Sequence, residues 1–254
     1  MLEGTVHVED CLETMAKMSD ASIDLTVTSP PYDNMRTYNG YSFDFESVAK
    51  ELFRVTKDGG VVVWVVGDAT IKGSETGTSF RQALFFMETG FNLHDTMIWE
   101  KAGRLPTQDR YYSIFEYMFV FSKGKPKAMN FICDNKNVSP VTTRKKDATI
   151  NKGQHKLGEG TFTTKEFSRR ANIWRIPNSG NKSGHPAVFP EKLAYDHIMT
   201  WSHEADLVYD PFMGSGTTAV AAVKGNRKWI GSEISQEYKE SATIRISKIE
   251  KGLF

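Results

Sequence analysis

Four consecutive residues, Ser29-Pro30-Pro31-Tyr32, combine groups that could act on the amino group of a nucleobase. Two adjacent prolines fix φ and lack N–H donors, which leaves a rigid loop whose carbonyl oxygens are acceptors. The Ser29 hydroxyl and the Pro30 carbonyl could both accept hydrogen bonds from one –NH2 group and so direct its lone pair toward an electrophile. Tyr32 adds a flat face on which a base can stack. The alternative is a purely structural role, in which the Pro-Pro turn only ends a strand.

A second segment, Asp210-Pro211-Phe212-Met213-Gly214-Ser215-Gly216-Thr217-Thr218, places two glycines between a predicted strand and a predicted helix. Glycines here permit a tight turn and close approach of a ligand to the backbone, and the helix N-terminus adds N–H donors. Glu233, at the end of the next predicted strand, is placed to accept hydrogen bonds from ribose hydroxyls. The Asp210 carboxylate favours a cationic ligand, and a sulfonium with an amino-acid tail fits that description.

This glycine turn leaves other interpretations open. Many strand-to-helix turns hold glycine for steric reasons alone. The residue directly after Gly216 is Thr217 and not Lys, which excludes a P-loop. A dinucleotide remains an alternative ligand, although Asp210-Pro211-Phe212 does not offer what a pyrophosphate needs.

The elements that must position these segments alternate between strand and helix. Predicted strands are 23–28, 61–66, 92–99, 117–121, 206–210 and 228–232, and predicted helices are 45–55, 80–89, 191–201, 217–223 and one from Gln236. The strand at 61–66 is apolar throughout, as in a central parallel strand that is buried on both faces. The alternation predicts an α/β fold with a doubly wound, mostly parallel sheet, interrupted once at 123–182.

The interrupting segment differs sharply in charge from the rest of the chain. Residues 123–182 hold 14 Lys and Arg against 4 Asp and Glu, a net +10, and the remainder holds 18 against 27, a net −9. A segment this basic suits a polyanion, because neutralised phosphates release counterions. A solvated loop region without a partner would have the same composition. On the first interpretation, DNA contacts fall to Arg144, Lys145, Lys146, Arg169 and Arg170.

The overall composition narrows the class of protein. A chain of 254 residues with 39% hydrophobic side chains can bury a core, which excludes a disordered chain and a disulfide miniprotein. No apolar run approaches the roughly 18 residues of a membrane span, and the N-terminus lacks a signal-peptide pattern. Two distant cysteines, Cys11 and Cys133, predict neither a disulfide framework nor a metal site. We expect a cytoplasmic protein without a metal or a membrane partner.

The motifs resemble those of the DNA amino-methyltransferases that use S-adenosylmethionine. Thr28 to Tyr32 is similar to the catalytic motif of that family, and Asp210 to Thr218 to its cofactor motif. The catalytic motif comes first and the cofactor motif last, as in the circularly permuted beta group of restriction–modification and orphan methyltransferases. The resemblance implies a permuted, Rossmann-like methyltransferase fold with a catalytic half (1–122), a target recognition insert (123–182) and a cofactor-binding half (183–254).

The resemblance also implies the residues of the site. Asp10 would contact the adenine amino group of the cofactor, Glu233 its ribose, and the segment beginning at His185 its methionine end. The implied catalytic residues are Ser29, Pro30, Pro31 and Tyr32. The implied cofactor residues are Asp10, Cys11, Thr28, His185, Pro186, Phe189, Lys192, Asp210, Pro211, Phe212, Gly214, Ser215, Gly216, Thr217, Thr218 and Glu233.

By the same resemblance, the reaction is methyl transfer from the sulfonium to an exocyclic amino nitrogen of a base flipped out of duplex DNA. Family members with Ser at the head of the tetrad mostly methylate cytosine N4, and those with Asp or Asn mostly methylate adenine N6. Ser29 therefore favours cytosine N4, with adenine N6 as the alternative. Methylation of RNA or of a protein amide, and nucleic-acid binding without catalysis, are further alternatives. Expected partners are double-stranded DNA at the nucleoid, a second copy in a homodimer and, in a restriction system, a cognate endonuclease.

Overall fold

The computed structural model describes residues 3–31, 44–103, 109–138, 143–145, 161–163, 165–177 and 189–252, with only the backbone of 143–145 and 161–163. The chain divides into two compact units. The larger unit comprises Met1–Asn130 and Asn172–Phe254, and the smaller unit comprises Phe131–Ala171. Within the described residues, no helix combines the length and apolar character needed to cross a membrane.

The larger unit is built on one sheet, whose eight strands in the described part of the chain are numbered here in chain order. From edge to edge they are β1 (Thr5–Val8), β14 (Lys228–Glu233), β13 (Leu207–Asp210), β2 (Ile23–Thr28), β3 (Thr56–Val66), β7 (Phe115–Ser122), β6 (Asn92–Glu100) and β12 (Ile173–Arg175). All neighbours pair in parallel except at β7, which is antiparallel to β3 and to β6. The predicted mostly parallel α/β sheet is confirmed.

Helices cover both faces of this sheet. They are α1 (Cys11–Ala16), α2 (Phe45–Val55), α3 (Thr78–Thr89), α4 (Glu191–Trp201), α5 (Thr217–Lys224) and α6 (Gln236–Gly252). Helices α1 to α3 contribute to one buried apolar cluster and α4 to α6 to another. Strand β3 supplies both clusters, because successive side chains of a strand point to opposite faces. Val61, Val63 and Val65 join the second cluster, and Val62, Trp64 and Val66 join the first.

The remaining strands form short antiparallel pairs. In the larger unit, β4 (Thr70–Ile71) pairs with β5 (Ser74–Glu75). In the smaller unit, β8 (Asn135–Lys136) pairs with β11 (Phe167–Ser168), and β9 (Thr143–Lys145) with β10 (Thr161–Thr163). The smaller unit lies within the predicted insert, but β12, which also falls inside 123–182, is a strand of the main sheet.

Two asparagines anchor the chain to the larger unit, one where the chain leaves that unit and one where it returns. The Asn130 amide N–H donates to the carbonyl of Thr200 (2.9 Å), and its side chain donates to the carbonyls of Met199 and Ser202 (3.2 Å each). The carbonyl of Asn172 accepts from the amide of Ile98 (2.8 Å). Both ends of the excursion are thereby tied to regular elements of the larger unit.

The parallel strands bring the functional segments to one edge of the sheet. Val8 lies opposite Glu233 in the pairing of β1 with β14, and Thr28 lies opposite Trp64 in the pairing of β2 with β3. Since the carboxyl ends of parallel strands meet at the same edge, the residues that follow β1, β14, β13 and β2 lie side by side there. That edge is where open α/β sheets bind their ligands.

Candidate functional site

A buried hydrogen bond joins the two segments that the sequence singled out. Strands β2 and β13 are neighbours, and the Thr28 hydroxyl donates to Oδ1 of Asp210 over 2.6 Å, although the two residues are 182 positions apart. The Thr218 hydroxyl donates to the carbonyl of Val27 over 3.1 Å. Ser29, Pro30 and Pro31 follow Thr28 directly, so the start of the tetrad lies beside the glycine turn. Tyr32 is outside the described residues.

Asp210 is a buried carboxyl group in the middle of this arrangement. Burial raises its pKa to about 6, although hydrogen bonds from Thr28, Thr218 and the Phe212 amide act in the opposite direction. Glu233 adds a further small increase through its negative charge. Asp210 is therefore mostly ionised at neutral pH and would be stabilised by a positive charge nearby.

Glu233 ties the glycine turn to the end of β14. Its Oε2 accepts the amide N–H of Gly214 (2.8 Å), and its Oε1 accepts that of Ser235 (2.9 Å). Burial raises the pKa of Glu233, and these amide bonds oppose the increase. A carboxylate has about four acceptor positions, so the two bonds leave capacity for ligand hydroxyl groups.

The two glycines of the turn both have left-handed backbone conformations, with φ +50° at Gly214 and +82° at Gly216. At Gly216 a second constraint comes from α6. A Cβ built there would lie 2.9 Å from Cβ of Ala242. Of the reasons that the sequence left open for this glycine, a tight turn, a ligand or steric need, its conformation and the approach of α6 already account for it.

Asp10 and Cys11 follow β1 and have different environments. The Asp10 carboxylate caps α1 by accepting the amide N–H of Leu12 over 2.7 Å and is half-buried. Cys11 lies in the apolar cluster of α1 to α3. Burial, reinforced by the negative charge of Asp10, raises the pKa of the Cys11 thiol to about 12. The Cys11 thiol thus belongs to the apolar core and lies next to the carboxyl edge of the sheet.

The aromatic ring of the turn, Phe212, is half-buried and contacts the sheet. Its ring meets that of Trp64 edge-on with centroids 6.2 Å apart. The Trp64 indole in turn donates to Oε1 of Gln82 over 2.9 Å. Pro211 is buried, and Thr217 and Thr218 open α5.

On the other side of the turn, Phe189 lies two residues before α4, and Lys192 is the second residue of that helix. Phe189 packs against the cluster of α4 to α6. The Lys192 ammonium lies 2.9 Å from Oδ2 of Asp196, one turn further along the helix. His185 and Pro186 are outside the described residues.

Two functional candidates at this edge were missed from the sequence. Arg245 of α6 donates through Nη1 to the carbonyl (2.6 Å) and the hydroxyl (2.9 Å) of Ser215. Asp68, two residues past β3, accepts the amide N–H of Ser79 at the start of α3 over 2.9 Å. The position of Asp68 after a buried strand was an available signal. Arg245 gave none, because its partner lies 30 residues away.

In the smaller unit, the two described arginine side chains have local partners. Arg170 pairs with Asp134, with Nε 2.9 Å from Oδ2, and the Arg169 guanidinium lies 4.3 Å from the centre of the Phe131 ring. For Arg144 and Lys145 the structure gives only the backbone of β9, and Lys146 is outside the described residues. Across the described part of the whole chain, no group of three or more His, Cys, Asp or Glu could hold a metal.

Comparison with known proteins identifies relatives over nearly the whole chain. The N6_N4_Mtase family of DNA methylases matches residues 23–244. M.BamHII of Bacillus amyloliquefaciens, an orphan methyltransferase, is 59% identical over 244 residues, with 90% of each chain covered. The type II methyltransferase M.MthZI of Methanothermobacter thermautotrophicus is 28% identical, with 93% of this chain and 75% of that protein covered.

Solved structures share the fold. The cytosine-N4-specific PvuII DNA methyltransferase superposes with a TM-score of 0.73 at 25% identity, over 98% of this chain and 90% of that one. TTHA0409 of Thermus thermophilus, complexed with S-adenosyl-L-methionine, superposes with a TM-score of 0.67 at 24% identity, over 96% and 93%. Since the family match spans most of the sequence and one relative is 59% identical, the chain belongs to the DNA methylase family.

Proposed function

We propose that this protein transfers a methyl group from S-adenosylmethionine to the exocyclic N4 amino group of cytosine in duplex DNA. The observation that carries the proposal is the 2.6 Å hydrogen bond between Thr28 and Asp210, which places the start of the Ser-Pro-Pro-Tyr tetrad beside the glycine turn. The order of the two motifs along the chain, tetrad first, also supports the circularly permuted arrangement.

The cofactor is S-adenosylmethionine, which supplies an electrophilic methyl group on a sulfonium. The edge fits such a group, because the buried carboxyl group of Asp210 and the half-buried one of Glu233 would be stabilised by a cationic, hydroxyl-bearing ligand. Glu233 would hold the ribose hydroxyls, and Asp10 the adenine amino group. Phe189 and Lys192, together with His185 and Pro186, would hold the methionine end.

The amino group to be methylated would be positioned by the tetrad. Ser29 and the carbonyl of Pro30 accept its two N–H hydrogens, so the nitrogen lone pair points toward the methyl group. With the cofactor bound, its sulfonium would supply the methyl group and leave as a neutral thioether, and the methylated nitrogen would release its extra proton to solvent without a dedicated base. Tyr32 would stack on the base, whose extrusion from the duplex costs a few kcal/mol. Catalysis on this account comes from position and polarisation.

Cytosine is favoured over adenine by two observations. The first residue of the tetrad is Ser29, a neutral hydroxyl group. The PvuII enzyme, named as cytosine-N4-specific, is 25% identical over nearly the whole chain. N6-methylation of adenine would use the same edge and the same cofactor.

Mass spectrometry of nucleosides from DNA treated with the purified protein and cofactor tests this proposal. We expect N4-methylcytosine. N6-methyladenine would keep the reaction class and overturn the choice of base. If neither product forms on DNA of diverse sequence, labelled RNA and protein acceptors become the next substrates to test, and binding of S-adenosylmethionine separates another acceptor from a protein without catalysis.

The smaller unit and the basic segment around it would contact the DNA, through Arg144, Lys145, Lys146, Arg169 and Arg170. Action on chromosomal DNA would place the protein at the nucleoid. The 59% identical relative is named an orphan methyltransferase, which favours action without a cognate endonuclease. We also propose a homodimer, which light scattering of the purified protein would test by its mass.

A further inference from the structure

The last helix of the chain packs directly against the glycine turn through one face. Ala242, Arg245 and Ile246 are spaced three and four residues apart and so lie on the same side of α6. Ala242 is fully buried beside Gly216, and Ile246 lies 3.6 Å from where a Cβ of Gly216 would be. Arg245 is the polar member of this face.

Arg245 fixes one peptide plane within the turn. Its Nη1 donates to the carbonyl of Ser215 over 2.6 Å, and the other side of that same peptide, the N–H of Gly216, donates to the carbonyl of Met213 over 2.9 Å. Because a trans peptide is planar, its carbonyl and N–H point in opposite directions. The plane is therefore held from both ends, in a turn whose two glycines would otherwise allow several orientations.

The same guanidinium contacts the side chains around the turn. Nη1 lies 2.9 Å from the Ser215 hydroxyl and 3.4 Å from that of Thr217, the first residue of α5. Burial lowers the pKa of Arg245, and the negative charge of Glu191, the first residue of α4, opposes that decrease. Arg245 thus forms hydrogen bonds with the turn and interacts electrostatically with Glu191, the first residue of α4.

We propose that Arg245 is a positioning residue for the cofactor, which it serves by holding the Ser215–Gly216 peptide in the orientation that the ligand requires. This inference rests on the proposed function, since it assumes that the turn binds S-adenosylmethionine. Arg245 makes no contact with the reacting atoms in this account. Its loss should therefore weaken cofactor binding and leave the chemical step nearly unchanged.

Calorimetric titration of S-adenosylmethionine into three variants tests the proposal. We expect Arg245→Gln to bind about 10-fold more weakly, because only the fraction of molecules with the correct turn can bind. Arg245→Lys keeps one donor for the Ser215 carbonyl and should lose less, roughly threefold by the same reasoning. Lys248→Met, an exposed position on the same helix, is the matched control and should bind as the wild type does.

Steady-state kinetics and thermal melting separate positioning from general support of the fold. In Arg245→Gln, the KM for the cofactor should rise while kcat at saturating cofactor and the KM for DNA stay close to wild type. A lower Tm with unchanged cofactor affinity, or equal affinity in all three variants, would overturn the proposal. If Arg245→Gln does not fold, wild-type affinity in Arg245→Lys together with an unchanged KM would overturn it equally. Failure of the wild-type protein to bind the cofactor would instead count against the proposed function.

Discussion

The contacts that stabilise the glycine turn at 210–218 differ in kind from those within the smaller unit at 131–171. The turn is fixed by hydrogen bonds from buried and half-buried polar groups, with Glu233, Arg245 and Thr28 each bonded to it from a different element. The described contacts of the smaller unit are short hairpins and charged side chains at the surface, such as Arg170 with Asp134. The two regions should therefore respond differently to mutation, pH and salt.

Replacement of Ser29 with Ala should produce the largest effect on activity. Loss of one group that polarises the amino nitrogen should lower kcat by about 100-fold, as with single oxyanion-hole donors. The affinity for S-adenosylmethionine should not change, because Ser29 faces the base in the proposed site. Single-turnover methylation and calorimetry measure the two quantities. A loss confined to cofactor affinity would place Ser29 on the side of the turn.

Replacement of Asp210 with Asn should weaken cofactor binding and stabilise the free protein. The Asn Oδ1 can still accept from Thr28 and from the Phe212 amide, both of which bond Oδ1 in the wild type. The negative charge that favours the cationic ligand is lost, so we expect the dissociation constant to rise about 10-fold or more, as for a charge-assisted bond. Thermal melting without ligand should give a higher Tm at about pH 7.5, where the wild-type carboxyl group is ionised. A lower Tm would contradict the assigned cost of burying the Asp210 charge.

The pH dependence of stability tests independently whether the negative charge of Asp210 destabilises the free protein. The pKa of Asp210 is about 6 in the folded protein, against an ordinary value of 3.8. The folded state thus binds the proton more tightly, and the stability of the free protein should fall as pH rises from about 4 to 6, by on the order of 3 kcal/mol. Cofactor affinity should change in the opposite sense and fall as pH drops below about 6. The stability difference between wild type and Asp210→Asn should vanish at about pH 4 and below.

Replacement of Gly216 with Ala tests how tightly the turn is packed. A left-handed conformation costs a side-chain-bearing residue roughly 1–2 kcal/mol, and the contact with Ala242 adds an overpacking cost of about 1–3 kcal/mol. Gly73→Ala is the matched control, since Gly73 has φ +77° and nothing within 4 Å of its would-be Cβ. Chemical denaturation should show a clearly larger loss at Gly216. Equal losses would mean that α6 gives way easily.

DNA binding through the smaller unit and its basic segment should be sensitive to salt. Replacement of Arg144, Lys145 and Lys146 together with Gln should lower the slope of log K for DNA against log salt by up to about 3. Arg170→Gln should change it less, because Asp134 already offsets that charge. The control replaces three lysines of α6, Lys239, Lys248 and Lys251, and should leave the slope unchanged. A fall in the control instead would place the DNA on the last helix.

Much of the fold could be predicted from the sequence. The central strand at 61–66 could be predicted because it is apolar throughout, and in the structure its buried side chains alternate between the two apolar clusters. The edge strands β1 and β12 were not, since each has three or four residues and little apolar pattern. The predicted insert extends to 182 because its bounds were set by the basic composition, which gives no sign of β12. Trp174 of that strand is buried in the main core.

The candidate site could be predicted only as two separate motifs. Their spacing along the chain contains no information on the bond between Thr28 and Asp210, which follows from the pairing of β2 with β13. Arg245 was missed for a similar reason, because its partner Ser215 lies 30 residues away in the sequence. For Gly216 the sequence left a tight turn, an approaching ligand and simple steric need as alternatives, and the nearest atoms in the structure belong to Ala242.

The two asparagines at the borders of the excursion have a consequence for how such an enzyme can diversify. Asn130 and Asn172 are each tied to regular elements of the larger unit by backbone hydrogen bonds. The sequence between them can therefore be exchanged, lengthened or rewritten while both ends of the larger unit keep the same anchors. If this segment contacts the DNA as we propose, a lineage could acquire a new DNA specificity by replacing it alone, and the proposed cofactor site would be inherited unchanged.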